Sequence, residues 1–166
     1  WIPYHYEVRE TMPPDGYQLI PRVYEVLIED QKECEVLTYD LTVPNETTKI
    51  KIAKLDFDTG LFVSGAKLAV YEAGVLDGVY TEAGEALETW ICDGKTHVIE
   101  GKLIAGHTYL LKELEAPDGY TVQKPMIFTV SDTGRGINAA RDGANVLETE
   151  TADGLFDSIT SLQVQG

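Results

Sequence analysis

Residues Tyr109–Tyr120 read YLLKELEAPDGY, and residues Tyr6–Tyr17 read YEVRETMPPDGY. Tyr, Glu, Pro, Gly and Tyr recur at matching offsets, so the chain carries two copies of one unit. The second half of the pattern is turn chemistry: Pro presets φ, Asp hydrogen-bonds back to the chain, and Gly tolerates positive φ. The first half is a strand. In the earlier copy Tyr4, Tyr6, Val8 and Glu10 share one face, while His5, Glu7 and Arg9 take the other. Glu10 therefore continues an apolar face, and by the copy so does Glu113 behind Tyr109 and Leu111. A carboxylate in that position has to be paired or neutralised, because burying it charged and alone is very costly.

Length and composition bound the rest. A chain of 166 residues holds one domain with an appendage or two small domains. Its net charge of −15 argues against nucleic acid, whose phosphates need a Lys/Arg surplus, and fits a self-repelling surface protein. No apolar run is long enough to cross a membrane. The opening WIPYHYEV is no signal peptide, so the segment reads as a piece of a longer chain. Cys34 and Cys92, without a CxxC pair, read as two unpaired thiols rather than a disulfide framework. Asp56-Phe57-Asp58 offers too few oxygens for calcium and reads as a turn held by an Asx hydrogen bond. His5, His97 and His107 are scattered, and no metalloprotease, nucleophile-elbow, P-loop or dinucleotide motif is present. The sequence thus implies no cofactor and no metal.

Along the chain, Tyr4–Glu10, Tyr17–Ile20, Val23–Ile28 and Val36–Val43 read as strands. Leu41, Val43 and Asn45 share parity, so Asn45 continues an apolar face. After a short polar joint at Asn45-Glu46-Thr47-Thr48, Ile50, Ile52 and Lys54 share parity, and Lys54 points with the isoleucines. Leu68–Tyr71, His97–Ile99, the Glu113 strand and Met126–Val130 follow. Residues 72–96 read as a Gly-rich connection with room for one more strand. The second copy is longer than the first, and SDTGRGINAARDGANVLETETADG reads as a surface excursion with at most a helical turn at Asn138–Arg141.

KLDFDTG at Lys54–Gly60, GAKLAVYE at Gly65–Glu72, Ala105-Gly106 and the Glu strand closing on Ala-Pro-Asp-Gly-Tyr together resemble one family. It is the Cna B-type or SpaA-type domain of Gram-positive surface proteins and pilins. The resemblance covers residues 49 to about 130 in full, and residues 1–48 as the back half of a preceding copy. It implies an all-β, prealbumin-like (Ig-like, Greek-key) β-sandwich: one complete domain at 49–166, preceded at 1–48 by the C-terminal half of another. It also implies a structural stalk or backbone module of a cell-wall surface protein or pilus, extracellular, whose partners are neighbouring domains. The alternative is an adhesin domain binding a host protein or glycan through the insertion near residues 131–157.

In this family a lysine on the first strand attacks an Asn or Asp on the last, assisted by a carboxyl, and an isopeptide bond closes once. An apolar core favours the neutral amine and the protonated acid, and folding holds the groups together. The protein is therefore not an enzyme in the usual sense. Residue by residue, the resemblance makes Lys54 the nucleophile and Glu113 the assisting acid of the second copy. Glu10 and Asn45 become the acid and acceptor of the first, whose lysine would lie upstream of Trp1. Aligning LTVPN with LQVQG puts Gly166 where Asn45 stands, leaving Asp157, Asn145 and Asn138 as alternative acceptors. The expectation is that no bond closes within residues 49–166.

Overall fold

The computed structural model describes residues 4–28, 38–140, 146–151 and 158–165. Every element among them is a strand: β1 Tyr4–Arg9, β2 Val23–Ile28, β3 Lys49–Leu55, β4 Ser64–Leu76, β5 Val79–Glu82, β6 Glu88–Asp93, β7 His97–Glu100, β8 Thr108–Glu115, β9 Met126–Val130, β10 Ile137–Ala140, β11 Val146–Thr151 and β12 Ser158–Gln165. One sheet runs β10-β9-β8-β4-β5, with β6 also on β4; a second runs β11-β12-β3-β7; β1 and β2 form a hairpin of their own. The two large sheets face each other as a sandwich. Ile50, Ile52 and Ile99 on one side meet Leu68, Val70, Tyr109, Leu111, Met126, Phe128, Val130 and Ile137 on the other. Alternation decides which residues go in: β9 buries Met126, Phe128 and Val130 and leaves Ile127 and Thr129 only half-buried. Tyr109 reaches the core with its hydroxyl satisfied, accepting a hydrogen bond from the Ile104 amide at 2.7 Å.

Three expectations need correction. Residues 72–96 are not mainly connection: β4 continues to Leu76, turns at Asp77-Gly78 and returns as β5 and then β6. Both turn residues have positive φ (51° and 78°), as a two-residue hairpin with the right twist requires. The stretch after Val130 is not simply an excursion either. Ile137–Ala140 pairs with β9 as β10, burying Ile137 in the core, and β11 pairs with β12. No helical turn forms at Asn138–Ala140, because those residues are paired as strand. Finally, Tyr17–Ile20 holds only an isolated bridge, Tyr17 to Thr47, and residues 38–44 form no strand; residues 36 and 37 lie outside the described residues. A strand needs a ladder partner, and neither segment has one among the described residues.

The motifs that repeat or recur pack on one another. Asp56 Oδ1 accepts hydrogen bonds from the Thr59 amide (2.8 Å), the Thr59 hydroxyl (2.8 Å) and the Asp58 amide (3.1 Å), which closes the Asx turn expected after β3. Its other oxygen accepts from the Tyr120 hydroxyl at 2.8 Å. The Lys-x-Asp turn and the Pro-Asp-Gly-Tyr turn are thereby stapled together. The hydrogen bonds from Thr59, then that from Tyr120, hold the Asp56 carboxyl down at about 2.

The two copies of the Pro-Asp-Gly-Tyr turn fold alike. Tyr17 N donates to Pro14 O and Tyr120 N to Pro117 O, both at 3.0 Å, and Gly16 and Gly119 both have positive φ. Their surroundings differ. A Cβ on Gly119 would meet nothing, whereas one on Gly16 would run into the carbonyl oxygen of Gly101. Gly16 belongs to a joint in which Thr48 N donates to Gly16 O, Gly101 N to Thr48 O, Gln18 N to Glu46 O and Leu19 N to Thr133 O, at 2.7–2.8 Å. The buried Thr48 hydroxyl donates to Leu103 O at 2.8 Å. Gly134 lies against Tyr17 and Gln18 on the other side.

Two outcomes follow from this geometry. Gly119→Ala should cost about 1–2 kcal/mol, the strain of a left-handed alanine. Gly16→Ala should cost clearly more, because backbone has to move as well; equal losses in denaturant titrations would mean that the joint is not held as described. Asp56, whose folded-state value lies below its ordinary 3.8, contributes stability that is full above about pH 4 and lost as pH falls toward 2. Asp56→Asn should flatten the stability profile in that window, and an unchanged acid limb would contradict the staple.

Candidate functional site

Lys54 enters the site from β3 because strand alternation puts it on the face of Ile50 and Ile52, all three buried. Glu113 comes from β8 on the face of Tyr109 and Leu111, cross-strand from Leu68 of β4. The two side chains meet across the sandwich, each only 1% exposed, with Lys54 Nζ 3.6 Å from Glu113 Oε2. That is ion-pair contact just beyond hydrogen-bond reach. The same Oε2 accepts a 2.7 Å hydrogen bond from the Gln123 amide. Oε1 is buried and has no hydrogen-bond partner. Leaving such an oxygen unsatisfied costs about 1–3 kcal/mol, more if it is charged. Cys92, a free buried thiol whose titration burial pushes up, stands in the electrostatic field of both groups. Cys34 lies outside the described residues.

The first copy repeats this geometry with one part filled and one absent. Glu10 Oε2 accepts from the Ile20 amide at 2.7 Å, and Glu10 Oε1 accepts from Asn45 Nδ2 at 2.9 Å. Ile20 follows Glu10 by ten residues, and Gln123 follows Glu113 by the same ten. Each glutamate thus clamps the segment beyond its own Pro-Asp-Gly-Tyr turn. Strand alternation put Lys54 and Glu113 on apolar faces, where they meet, but it did not announce this clamp. The shared spacing was the available signal. The oxygen that Asn45 satisfies in the first copy is the one left bare on Glu113 in the second.

The structure brings Lys54 to Glu113, and Glu10 to Asn45. Asn138 sits on β10, the far edge of the sheet, with β9 between it and β8. Asp157, Asn145 and Gly166 lie outside the described residues. The final strand does run beside β3, in parallel, with Val164 level with Lys54. Ser158, the residue after Asp157, is at the opposite end of that strand.

A second cluster crosses the sheets at their edge. Glu88 on β6 meets His97 Nε2 on β7 at 2.6 Å and Lys102 Nζ at 2.8 Å, and His97 stacks on Trp90 with centroids 4.3 Å apart. Burial works to raise the Glu88 carboxyl, but the Lys102 and His97 hydrogen bonds overcome it and hold it below its ordinary range. Among the described residues no group of His, Cys, Asp and Glu is arranged to hold a metal ion. Among the same described residues no helix is long and apolar enough to cross a membrane.

The fold has solved relatives. The C-terminal fragment of the pilus adhesin SpaC from Lactobacillus rhamnosus GG superposes with a TM-score of 0.51 at 22% identity, covering 99% of this chain and 76% of that one. An iodide-soaked crystal of the same fragment gives 0.52 at 20% identity, covering 99% and 77%. SpaC in a longer form gives 0.53 at 18% identity, covering 99% of this chain and 25% of that one. At these identities the likeness is one of fold. No curated protein matches the chain in sequence. A family model described as SpaA, prealbumin-like fold domain, matches residues 48–144, which is more than half of the chain and includes both Lys54 and Glu113. The chain belongs to the SpaA prealbumin-like fold family.

Proposed function

We propose that this chain is a structural module of a Gram-positive cell-wall surface protein or pilus, a stalk or backbone segment made of successive sandwich units. Residues 49–166 are one complete unit, and residues 1–48 are the closing half of the unit before it. The observation that carries this reading is the buried Lys54–Glu113 pair, which ties the first strand of one sheet to the motif strand of the other. The fold likeness to a pilus adhesin fragment along 99% of the chain supports the setting. The joint at Gly16, Thr48, Gly101 and Gly134 supports the tandem arrangement: a stalk projects its distal end only if successive units do not swing. The adhesin alternative relied on the insertion near residues 131–157. Part of that segment is already used structurally, by Thr133 and Gly134 in the joint and by β10 and β11 at the sheet edges.

The site residues keep the roles drawn from the family resemblance. Lys54 is the amine and Glu113 its acid, and Glu10 serves Asn45 as acceptor. In such a step the amine nitrogen bonds to the acceptor carbonyl carbon, the carboxamide C–N bond breaks, and the assisting carboxyl moves a proton from amine to departing ammonia. In the alignment of LTVPN with LQVQG the acceptor position carries Gly166, which has no carboxamide or carboxyl for Lys54 to attack. The Lys54–Glu113 pair therefore acts here as an ion pair.

The full chain should have its calculated intact mass under denaturing conditions. A deficit of one ammonia or one water, abolished by Lys54→Ala, would overturn the unbonded assignment. Lys54→Met should cost about 3–5 kcal/mol by stranding Glu113, and adding Glu113→Leu should restore part of the loss. Additive losses would mean that the two groups do not interact. A survey of host proteins and glycans should show no saturable binding; a specific ligand would favour the adhesin reading instead.

A further inference from the structure

One edge of the sandwich is closed by side chains rather than by backbone. β6 pairs with β4 and β7 with β3, and among the described residues no ladder joins β6 to β7. Glu88 on β6 spans the gap, meeting His97 Nε2 from β7 at 2.6 Å and Lys102 Nζ from just beyond β7 at 2.8 Å. The His97 ring lies flat on Trp90, 8° from parallel. Trp90 in turn packs on the core, at the end of a row that matters: Leu68 on β4 has Trp90 on one side and Glu113 on the other. Lys54 meets Glu113 from the opposite sheet, so the indole closes the edge at the level of the buried pair. Cys92, two residues along the same face of β6, is buried beside it.

From this we infer that Glu88, His97 and Lys102 form an acid-sensitive latch on the β6–β7 edge, with Trp90 as the plug that keeps water from the Lys54–Glu113 layer. The Glu88 carboxylate is the centre of the latch, because both cationic groups are held through it. The other elements against Glu88 bring no charge to the contact: β4 offers Val70, its ladder partner, and β6 itself offers Trp90. Charged residues elsewhere on β4, β3 and β7 are engaged with other partners: Glu72 with His107, Lys67 with Glu115, Lys54 with Glu113, and Lys49 with Glu46 and Glu100. Lys51 lies on the other face of β3. Burial already favours the neutral acid at Glu88, and the Lys102 and His97 bonds hold it below its ordinary 4.5. Its contribution is therefore full above that value and lost as pH falls through the lower folded one. Protonation leaves an ammonium and an imidazolium side by side without their counter-charge, and the ring stacked on Trp90 is released. Water passing Trp90 then finds a ready acceptor in the bare Glu113 Oε1. The latch is independent of the stalk reading, which intact mass and ligand surveys test separately.

The test uses the full chain carrying Trp1→Phe, which leaves Trp90 as its one tryptophan. Acrylamide quenching of Trp90 should be weak at neutral pH and rise from about pH 5 to about pH 3, while the far-UV circular dichroism stays that of the folded chain. Glu88→Gln keeps the size and removes the charge, so quenching should be strong already at neutral pH and flat across the series. In the same variant, iodoacetamide should alkylate Cys92 about tenfold faster at neutral pH, the effect of losing charge-assisted hydrogen bonds at a partly exposed site. Peptide mass separates Cys92 from Cys34. Asp56→Asn should leave the Trp90 acid response unchanged, which distinguishes the latch from the acid sensitivity of the β3 turn. Quenching that does not change with pH, or that rises only as the circular dichroism is lost, would overturn the inference. So would a folded Glu88→Gln chain that keeps the acid response or is alkylated at the unsubstituted rate. If Glu88→Gln does not fold, the acid series on the Trp1→Phe chain decides alone.

Discussion

A carboxylate at the end of an apolar strand face constrains everything around it. Glu113 cannot be solvated where it sits, so its position requires partners from outside the strand, and the fold supplies a hydrogen bond from the Gln123 amide and an ion-pair contact with Lys54. The first fixes the chain beyond the Pro-Asp-Gly-Tyr turn. The second fixes β3 against the opposite sheet at one depth and one register, since a slip by one residue would turn Lys54 out and Lys51-side residues in. Replacing the pair by hydrophobic residues could give equal stability, but it would not select that register. The pair contributes specificity first and energy second.

The internal repeat separates what the unit needs locally from what it needs globally. Both copies keep the Glu clamp and the turn, with the same ten-residue spacing and the same positive-φ glycine. These are local devices that form wherever the motif strand and its turn are present. Burial of the strand's apolar face is global. It is present on β8, where β3 lies opposite, and absent on β1.

Much of this was legible in the sequence for the same reason. Period-two alternation placed Lys54 with Ile50 and Ile52, and Glu113 with Tyr109 and Leu111, because the residues are short-range neighbours on regular strands. Asp56 could be assigned to its turn from Asp-x-Asp-Thr-Gly alone. The hairpin at Asp77-Gly78 was also legible, with aliphatic residues on both sides, but the glycines around it made the whole stretch look like a connection. Ile137 was less accessible, because a four-residue strand after a Gly-rich turn has too little length to show a period. The Gln123 and Ile20 clamps were hidden for a different reason: a backbone amide has no residue identity, so no composition or spacing rule announces which one a carboxylate will find.

The joint shows how one turn can be given a second job without changing its sequence. Gly16 and Gly119 serve the same local geometry, and at Gly119 the missing side chain matters only for φ. At Gly16 it matters twice, because the Gly101 backbone occupies the place of a Cβ while Thr48 bonds to both. Close backbone approach of this kind leaves little freedom for bending: a swing of residues 1–48 would break together the bonds that cross to the second segment, Gly101 N to Thr48 O, Leu19 N to Thr133 O and the buried Thr48 hydroxyl to Leu103 O. Short polar linkers usually permit motion between units. Here the linker residues are themselves the packing surface, so the stiffness of the connection follows from the same glycine turn that closes the motif.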